Sequence, residues 1–476
     1  MTEIKRLQLL ATAVIGCVIW FLPIPEGVRP NAWHLFAIFI ATIAGIIMKA
    51  ATMGTMAIIG IMICAVTQVL APGDPVKSVS NALSGFGNSI IWLIGLSFFI
   101  ARGFIKTGLG TRLAYYFVRA FGRSTLGLSY GLGLADLILA PAIPSNTARA
   151  GGVIFPIMKS IAVSFGSVSE KPETHRNIGA FLTLTGYNIN LVTSVIFLTA
   201  TASNPMAQKF AGDLGIQITW TSWLFATIVP GLVCFLLVPL FLYRFYPPEL
   251  KKTPDAPAEA ASRLKEMGPV TGKELLMVAT FFILLVLWIF GNLFSMDATT
   301  AALIGLSILL VSGVLNWDDV KSEKSAWDTI VWFSALVMMG TYLNELGFTD
   351  WFGHFVGSKL THLNWLPAFI LIVVIYSYCH YMFASATAQA AAMYNVFLAV
   401  GIAIGVPGVM LAIFLGVSAS LMGCLTHYGH GPAPIYFGTS YVTLKDWWKQ
   451  GFFLSVLYLL VWFVIGGLWW KLIGLW

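Results

Sequence analysis

Charge is what this sequence has least of. Only 10% of its 476 residues are Asp, Glu, Lys or Arg, against 58% hydrophobic, where a soluble domain carries about 25% charged residues. A large soluble core would still need a charged surface, so the deficit excludes an ordinary globular protein, and lipid is the solvent that removes the need. No polar stretch is long enough for a separate domain; the longest, 246–273, reads as a loop. Cysteine is also scarce. Cys17, Cys64, Cys234, Cys379 and Cys424 each stand alone in an apolar segment, without metal-ligand spacing or a disulfide framework, and read as packed thiols. No Walker-type glycine pattern occurs, which leaves direct ATP drive and a nucleotide cofactor without support. The net charge of +7 sits in short loops between apolar runs, so it speaks for membrane topology and not for nucleic acid.

What is present is a series of apolar runs of the length that crosses hydrocarbon, roughly 17–22 residues. They fall near 7–22, 32–48, 52–71, 82–101, 178–200, 220–243, 274–291, 298–315, 328–344, 408–424 and 450–470. The first lacks a small-residue cleavage site and reads as a span, not a signal peptide. Two further apolar regions, 125–165 and 364–402, are broken in the middle by small and polar residues and suit re-entrant helical hairpins. The expected fold is therefore an all-α integral membrane protein of about 11 transmembrane helices plus two hairpins. With the N terminus cytoplasmic and each hairpin returning to its own side, only Arg29, Lys77, Lys209, Lys359 and Lys471 of the 27 Lys and Arg fall outside. Arg149 and Lys159 belong to the first hairpin, and the rest lie inside, as the positive-inside rule asks.

The two halves resemble each other. Ile91-Trp92-Leu93 with downstream Thr107-Gly108-Leu109 matches Val331-Trp332-Phe333 with Leu346-Gly347-Phe348, and Ser145-Asn146-Thr147-Ala148 matches Ser385-Ala386-Thr387-Ala388. The paired Trp and the paired Ser both lie 240 residues apart (332 − 92 and 385 − 145). The topology runs the two copies in opposite directions, which makes an inverted repeat, an arrangement common in secondary transporters.

Polar residues at membrane depth are costly unless partnered, so the hairpin breaks are the candidate site. In the first, Pro141 and Pro144 interrupt the helix and Ala150-Gly151-Gly152 permits close backbone approach. A half-helix starting near Ser145 would aim free N–H groups and the side chains of Asn146 and Thr147 at a ligand, and helix N-termini favour anions. The bland alternative is a proline-kinked helix with hydroxyls bonded to its own carbonyls. The matching Ser385 and Thr387 in the second half weigh against it, and two such tips suit the two ends of a dicarboxylate. Two more polar breaks follow the hairpins: Thr199-Ala200-Thr201-Ala202-Ser203-Asn204-Pro205, and Thr426-His427-Tyr428-Gly429-His430-Gly431-Pro432. They read as unwound segments adding Thr201, Asn204, Thr426, Gly431 and Pro432 to the site, or as plain span-ending loops. His427 and His430 are spaced for a metal or a proton, but no third ligand is evident, so no metal is expected. Asp136 and Arg149 are either a structural pair or substrate contacts, and the structural reading is favoured because buried charges in membranes pair. Trp469, Trp470 and Trp476 with Lys471 read as an interfacial anchor. An intramembrane enzyme would need a nucleophile–base or metal constellation, and none is convincing; a channel fits the repeat less well than alternating access.

On these residues the chain resembles the divalent anion:sodium symporter family over almost its whole length. Trp33-His34, Gly85-Phe86-Gly87-Asn88-Ser89, Thr107-Gly108-Leu109-Gly110, Ser145-Asn146-Thr147-Ala148-Arg149 and Gly431-Pro432 are similar to the bacterial citrate:succinate and tartrate:succinate antiporters. The resemblance implies a homodimer in the cell membrane with a fixed scaffold and a transport domain moving like an elevator. That assigns 1–71 and 220–327 to the scaffold, and 72–219 and 328–476, with both hairpins, to the transport domain. It further implies carboxylate binding by Asn146, Thr147 and Thr387. In sodium-coupled members each motif region also helps hold a sodium ion; Ala386 stands where the second Asn would be and supplies no side-chain oxygen, although hard cations want several oxygen ligands. The expectation is sodium-independent exchange of small di- or tricarboxylates, with sodium-coupled dicarboxylate symport as the alternative.

Overall fold

The computed structural model describes residues 3–359 and 364–476, which are helical with short connections and no β-strand element among the described residues. All eleven expected spans are helices. Among the described residues nine helices are long and apolar enough to cross a membrane, and Trp365–Met382 and Ala386–Ala403 of the second hairpin are two of them. Gly179–Ile196 and Lys324–Glu345 reach spanning length but carry more polar residues.

The chain divides into two compact units. The first contains Met1–Gly95, Pro205–Ile218 and Lys324–Ala419. Within it Glu3–Phe21, Pro30–Ile47 and Met53–Thr67 pack in succession, and Lys324–Glu345 lies on Met53–Thr67. Glycine permits that approach: a Cβ on Gly60 would meet Met339 Cε at 2.6 Å, and Gly85 rests against the carbonyl of Ser334. The second unit contains Leu96–Asn204, Thr219–Glu323 and Ser420–Trp476. Its central helix is Gly179–Ile196, every residue of which is buried except Gly186. Trp220–Phe245 packs along it, with Gly231 seated against Ile196. This helix carries Thr183, Thr185, Asn188, Asn190, Thr193 and Ser194, an unusual load for a span. A helix that is polar and fully buried marks a functional interior in a membrane protein.

The repeat appears as local geometry. In each half a spanning helix ends at a left-handed glycine, Gly108 with φ 76° and Gly347 with φ 83°, and the chain turns into a second helix, Leu109–Phe121 and Phe348–Lys359. Left-handed backbone favours glycine because it has no Cβ. The first arm of the first hairpin, Thr125–Leu139, has 15 residues, about 22 Å at a 1.5 Å rise against roughly 30 Å of hydrocarbon; that of the second, Trp365–Tyr378, continues as a 3-10 turn to Met382 and reaches spanning length. The second arms begin at Asn146 and Ala386, again 240 residues apart.

Three expectations need correction. The polar stretch 246–273 is not all loop: Ala256–Glu266 is a helix. Its Ala256, Ala260 and Leu264 form one buried face, and it packs on Leu109–Phe121. The helix has Leu264 as its one large apolar residue, but alanine and charged straight-chain residues are good helix formers. The five cysteines are not all packed: Cys17 is exposed and Cys379 half-buried, with the other three buried. Cys17 lies on a helix whose spanning window is only 6% buried, so lipid and not protein faces much of it. Nor is Trp470 an exposed anchor; it is buried in protein and donates to the Ala226 carbonyl at 2.8 Å.

Candidate functional site

In the first hairpin the helix stops at Leu139, turns through 140–142, and restarts at Asn146. Ser145 is its N-cap, extended at φ −102°, ψ 102°, with its hydroxyl accepting from the Ala148 N–H at 3.1 Å. This is the local chemistry that starts a helix. Behind the tip the Asp136–Arg149 pair is structural, and larger than two residues. Arg149 is fully buried and Asp136 is 2% exposed. Arg149 Nε donates to Asp136 at 2.9 Å; Nη1 donates to the carbonyls of Ile143 at 2.8 Å and Ala200 at 3.1 Å; Nη2 donates to Ser194 Oγ at 2.7 Å and Thr193 Oγ1 at 3.4 Å. These five contacts match the five N–H donors of a guanidinium. Asp136 also accepts from Asn190 Nδ2 at 3.1 and 3.2 Å and from the Thr193 hydroxyl. One ion pair thus ties the hairpin, the central helix and the break at 197–202 into a single polar knot. Sequence reading left out Asn190, Thr193 and Ser194; their signal was polar side chains three and four residues apart on a buried span.

Asn146 is buried, whereas Ser145 and Thr147 are half-exposed. Asn146 Oδ1 accepts from the Thr147 N–H at 3.0 Å, and its Nδ2 lies 3.0 Å from the ring nitrogens of His430. Gly431 lies so close to Thr147 that a Cβ there would collide with the Thr147 hydroxyl. The second unit therefore brings Asn146 and Thr147 together with His430 and Gly431, although Asn146 and His430 stand 284 residues apart. Pro432 follows, buried, ahead of the short helix Ala433–Phe437.

The two polar breaks share one geometry. Gly179–Ile196 runs into the 3-10 turn Leu198–Ala200 and then extended Thr201 (φ −154°, ψ 151°). Gly408–Leu421 runs into the 3-10 turn Met422–Leu425 and then extended Thr426 (φ −135°, ψ 156°). Both Thr are buried. Asn204 holds the first break, donating to the carbonyls of Ser194 at 2.8 Å and Phe197 at 2.9 Å. Thr199 Oγ1 reaches the Pro141 carbonyl of the hairpin at 2.8 Å. Asn204 is thus a bracket for the unwound segment. His427 accepts from Trp448 Nε1 at 3.3 Å among Tyr428 and Phe437, apart from any acidic cluster; among the described residues no three His, Cys, Asp or Glu gather to hold a metal.

The second tip belongs to the first unit. Ser385 precedes the helix Ala386–Ala403 without a side-chain cap bond, and its hydroxyl instead meets Thr387 Oγ1 at 2.8 Å. Where the first hairpin has Arg149, this one has Gln389, again 240 residues on. Gln389 Oε1 meets His380 Nδ1 at 2.5 Å, and its Nε2 donates to the Tyr376 carbonyl at 2.6 Å. All three residues are buried completely. Sequence reading missed His380 and Gln389; applying the 240-residue offset to Arg149 finds Gln389 at once.

A helical membrane protein built on a repeat of broken helices, with capped half-helix ends and unwound polar segments, has the architecture of secondary transporters. Residues 3–476 match the sodium:sulfate symporter transmembrane region, and the chain belongs to this family, that of the divalent anion:sodium symporters; it is a transporter and not an enzyme. It is similar to the putative malate transporter YflS of Bacillus subtilis, 54% identical over 476 residues, which are 100% of this chain and 98% of that one. It is also similar to the chloroplastic dicarboxylate transporter 1 of Arabidopsis thaliana, 47% identical over 473 residues, 98% of this chain and 83% of that one. Among solved structures its fold is like that of the YdaH transporter of Alcanivorax borkumensis, with a TM-score of 0.61 at 14% identity over 98% of this chain and 97% of that one.

Proposed function

We propose that this chain exchanges small dicarboxylates across the cytoplasmic membrane without sodium, its N terminus in the cytoplasm, working as a homodimer. The observation that carries the reading is the pair of half-helix starts at Ser145 and Ser385, each presenting hydroxyl or amide groups at the positive end of a helix. Such an end favours an anion. Each tip by itself offers hydrogen-bonding groups suited to a carboxylate. The names of the relatives, malate and dicarboxylate transporters, support the same substrate class. Ala386 places a methyl group where Asn146 has a carboxamide, which removes an oxygen that a sodium ion would need at the second tip.

Proteoliposomes preloaded with a dicarboxylate should take up labelled dicarboxylate in sodium-free buffer, and empty ones should take up little. Strong uptake into empty vesicles that requires a sodium gradient would establish the symporter instead. Tricarboxylates enter the same assay as competitors.

Alternating access would carry the hairpins past a frame that begins with 1–71. In this reading 1–71 and 220–327 form the scaffold, and 72–219 and 328–476, with both hairpins, form the transport domain. Ile46 and Ala388 line one cavity of the first unit. A thiol cross-linker joining Ile46→Cys to Ala388→Cys, in protein without Cys17, should stop exchange; full exchange after complete cross-linking would overturn the rigid-body motion.

A further inference from the structure

The surroundings of His430 give it a supporting role at the first hairpin tip. The ring is 5% exposed and lies against the 3-10 turn Met422–Leu425, where a Cβ on Gly423 would approach His430 Cβ to 2.9 Å. That turn is held from the central helix by Tyr187, whose hydroxyl donates to the Gly423 carbonyl at 2.6 Å. On its other side the ring meets two nitrogens. The Gly431 N–H donates to Nδ1 at 2.9 Å. The Asn146 amide nitrogen lies 3.0 Å away.

Both sides of the first carboxylate cradle depend on that ring. Asn146 is gripped at its oxygen by the Thr147 N–H and at its nitrogen by His430, so the amide plane is fixed and the second N–H of Nδ2 has one direction. Gly431, anchored through its own N–H, lies directly over the Thr147 hydroxyl. A site residue works only when its own orientation is locked by a supporting bond. We propose that His430 is a positioning residue: it orients Asn146 and Gly431–Thr147 for a carboxylate and does not touch the substrate. This inference rests on the proposed site at Asn146.

The test is a double-mutant cycle on full-length protein in proteoliposomes, with succinate exchange as the probe and an unfolding midpoint measured for every variant. Asn146→Ala alone tests the site. His430→Ala should raise KM about tenfold, the scale of a lost hydrogen bond to a charged group, and leave the saturating rate within about twofold, the pattern of lost binding alone. His430→Gln, which keeps an acceptor, should recover most of that loss. The double variant should lose clearly less than the two single losses combined, because coupled residues are not additive, while the part carried through Gly431–Thr147 persists. Additive losses, no recovery by Gln, or a fall in saturating rate at unchanged KM would each overturn the positioning role while leaving the site intact. A normal KM in Asn146→Ala would overturn the site itself.

Discussion

The two hairpins occupy equivalent places in the repeat and are held by opposite chemistry. The first is pinned by charge, with Arg149 and Asp136 at the centre of a knot that reaches the central helix and the break after it. At the equivalent positions the second has Gln389 and Tyr376, and it is pinned by neutral bonds among Gln389, His380 and the Tyr376 carbonyl. The tips differ too. Ser145 caps its helix, whereas Ser385 turns to Thr387. The difference teaches that the repeat preserves where the chain breaks and leaves open how the break is stabilised. A buried pair of charges is worth little net but is expensive to break; neutral bonds cost less to break. The first hairpin is therefore the one that tolerates substitution least.

The largest effect should come from separating the ion pair. Arg149→Gln makes the first hairpin resemble the second at that position but strands Asp136, at a cost of about 3–5 kcal/mol. Folded yield and the unfolding midpoint in detergent should fall sharply. Asp136→Asn together with Arg149→Gln should recover much of the loss, and a double variant as unstable as the single would show that shape, not charge, holds the knot. Next come the cradles. Thr147→Ala and Thr387→Ala should each weaken dicarboxylate binding about tenfold or more, as the loss of about 1.5–3 kcal/mol to a charged partner requires. Calorimetry on the purified protein checks this, and equal normal affinities would place the substrate elsewhere. Gln389→Ala should lower stability by about 1–3 kcal/mol, since it leaves buried partners unsatisfied, and so by less than Arg149→Gln in the same unfolding assay. The smallest effect should be at the caps: Ser145→Ala should cost about 1 kcal/mol and Ser385→Ala, which removes no cap bond, less. The reverse order would mean that the tips are not held as their hydrogen bonds indicate.

Much of this architecture is legible in residue type and spacing. The length of each apolar run depends on the thickness of hydrocarbon, and prolines with small residues mark where a helix stops, so all eleven spans and both hairpin breaks can be read along the chain. The same local chemistry places Ser145 and Ser385 at helix starts. It fails on 246–273, where a helix packs through alanine and a single leucine and leaves little apolar signal. It also fails on Trp470, whose burial depends on the helix Trp220–Phe245 passing beside it.

What the sequence by itself determined, then, was the membrane setting, the number of spans, the 240-residue repeat and the identity of Asn146, Thr147 and Thr387 as residues at helix breaks. The tertiary structure alone decided which partners hold them. Arg149 finds Ser194 and Ala200 on and just beyond the central helix, and Asn146 finds His430 from the far part of the chain. A helix period reports which face of one segment is apolar; it carries no information on which distant donor meets a buried acceptor. That choice is made when the helices pack, because a polar group inside lipid-facing protein has no water to turn to and must take a partner from whatever element packing brings within reach.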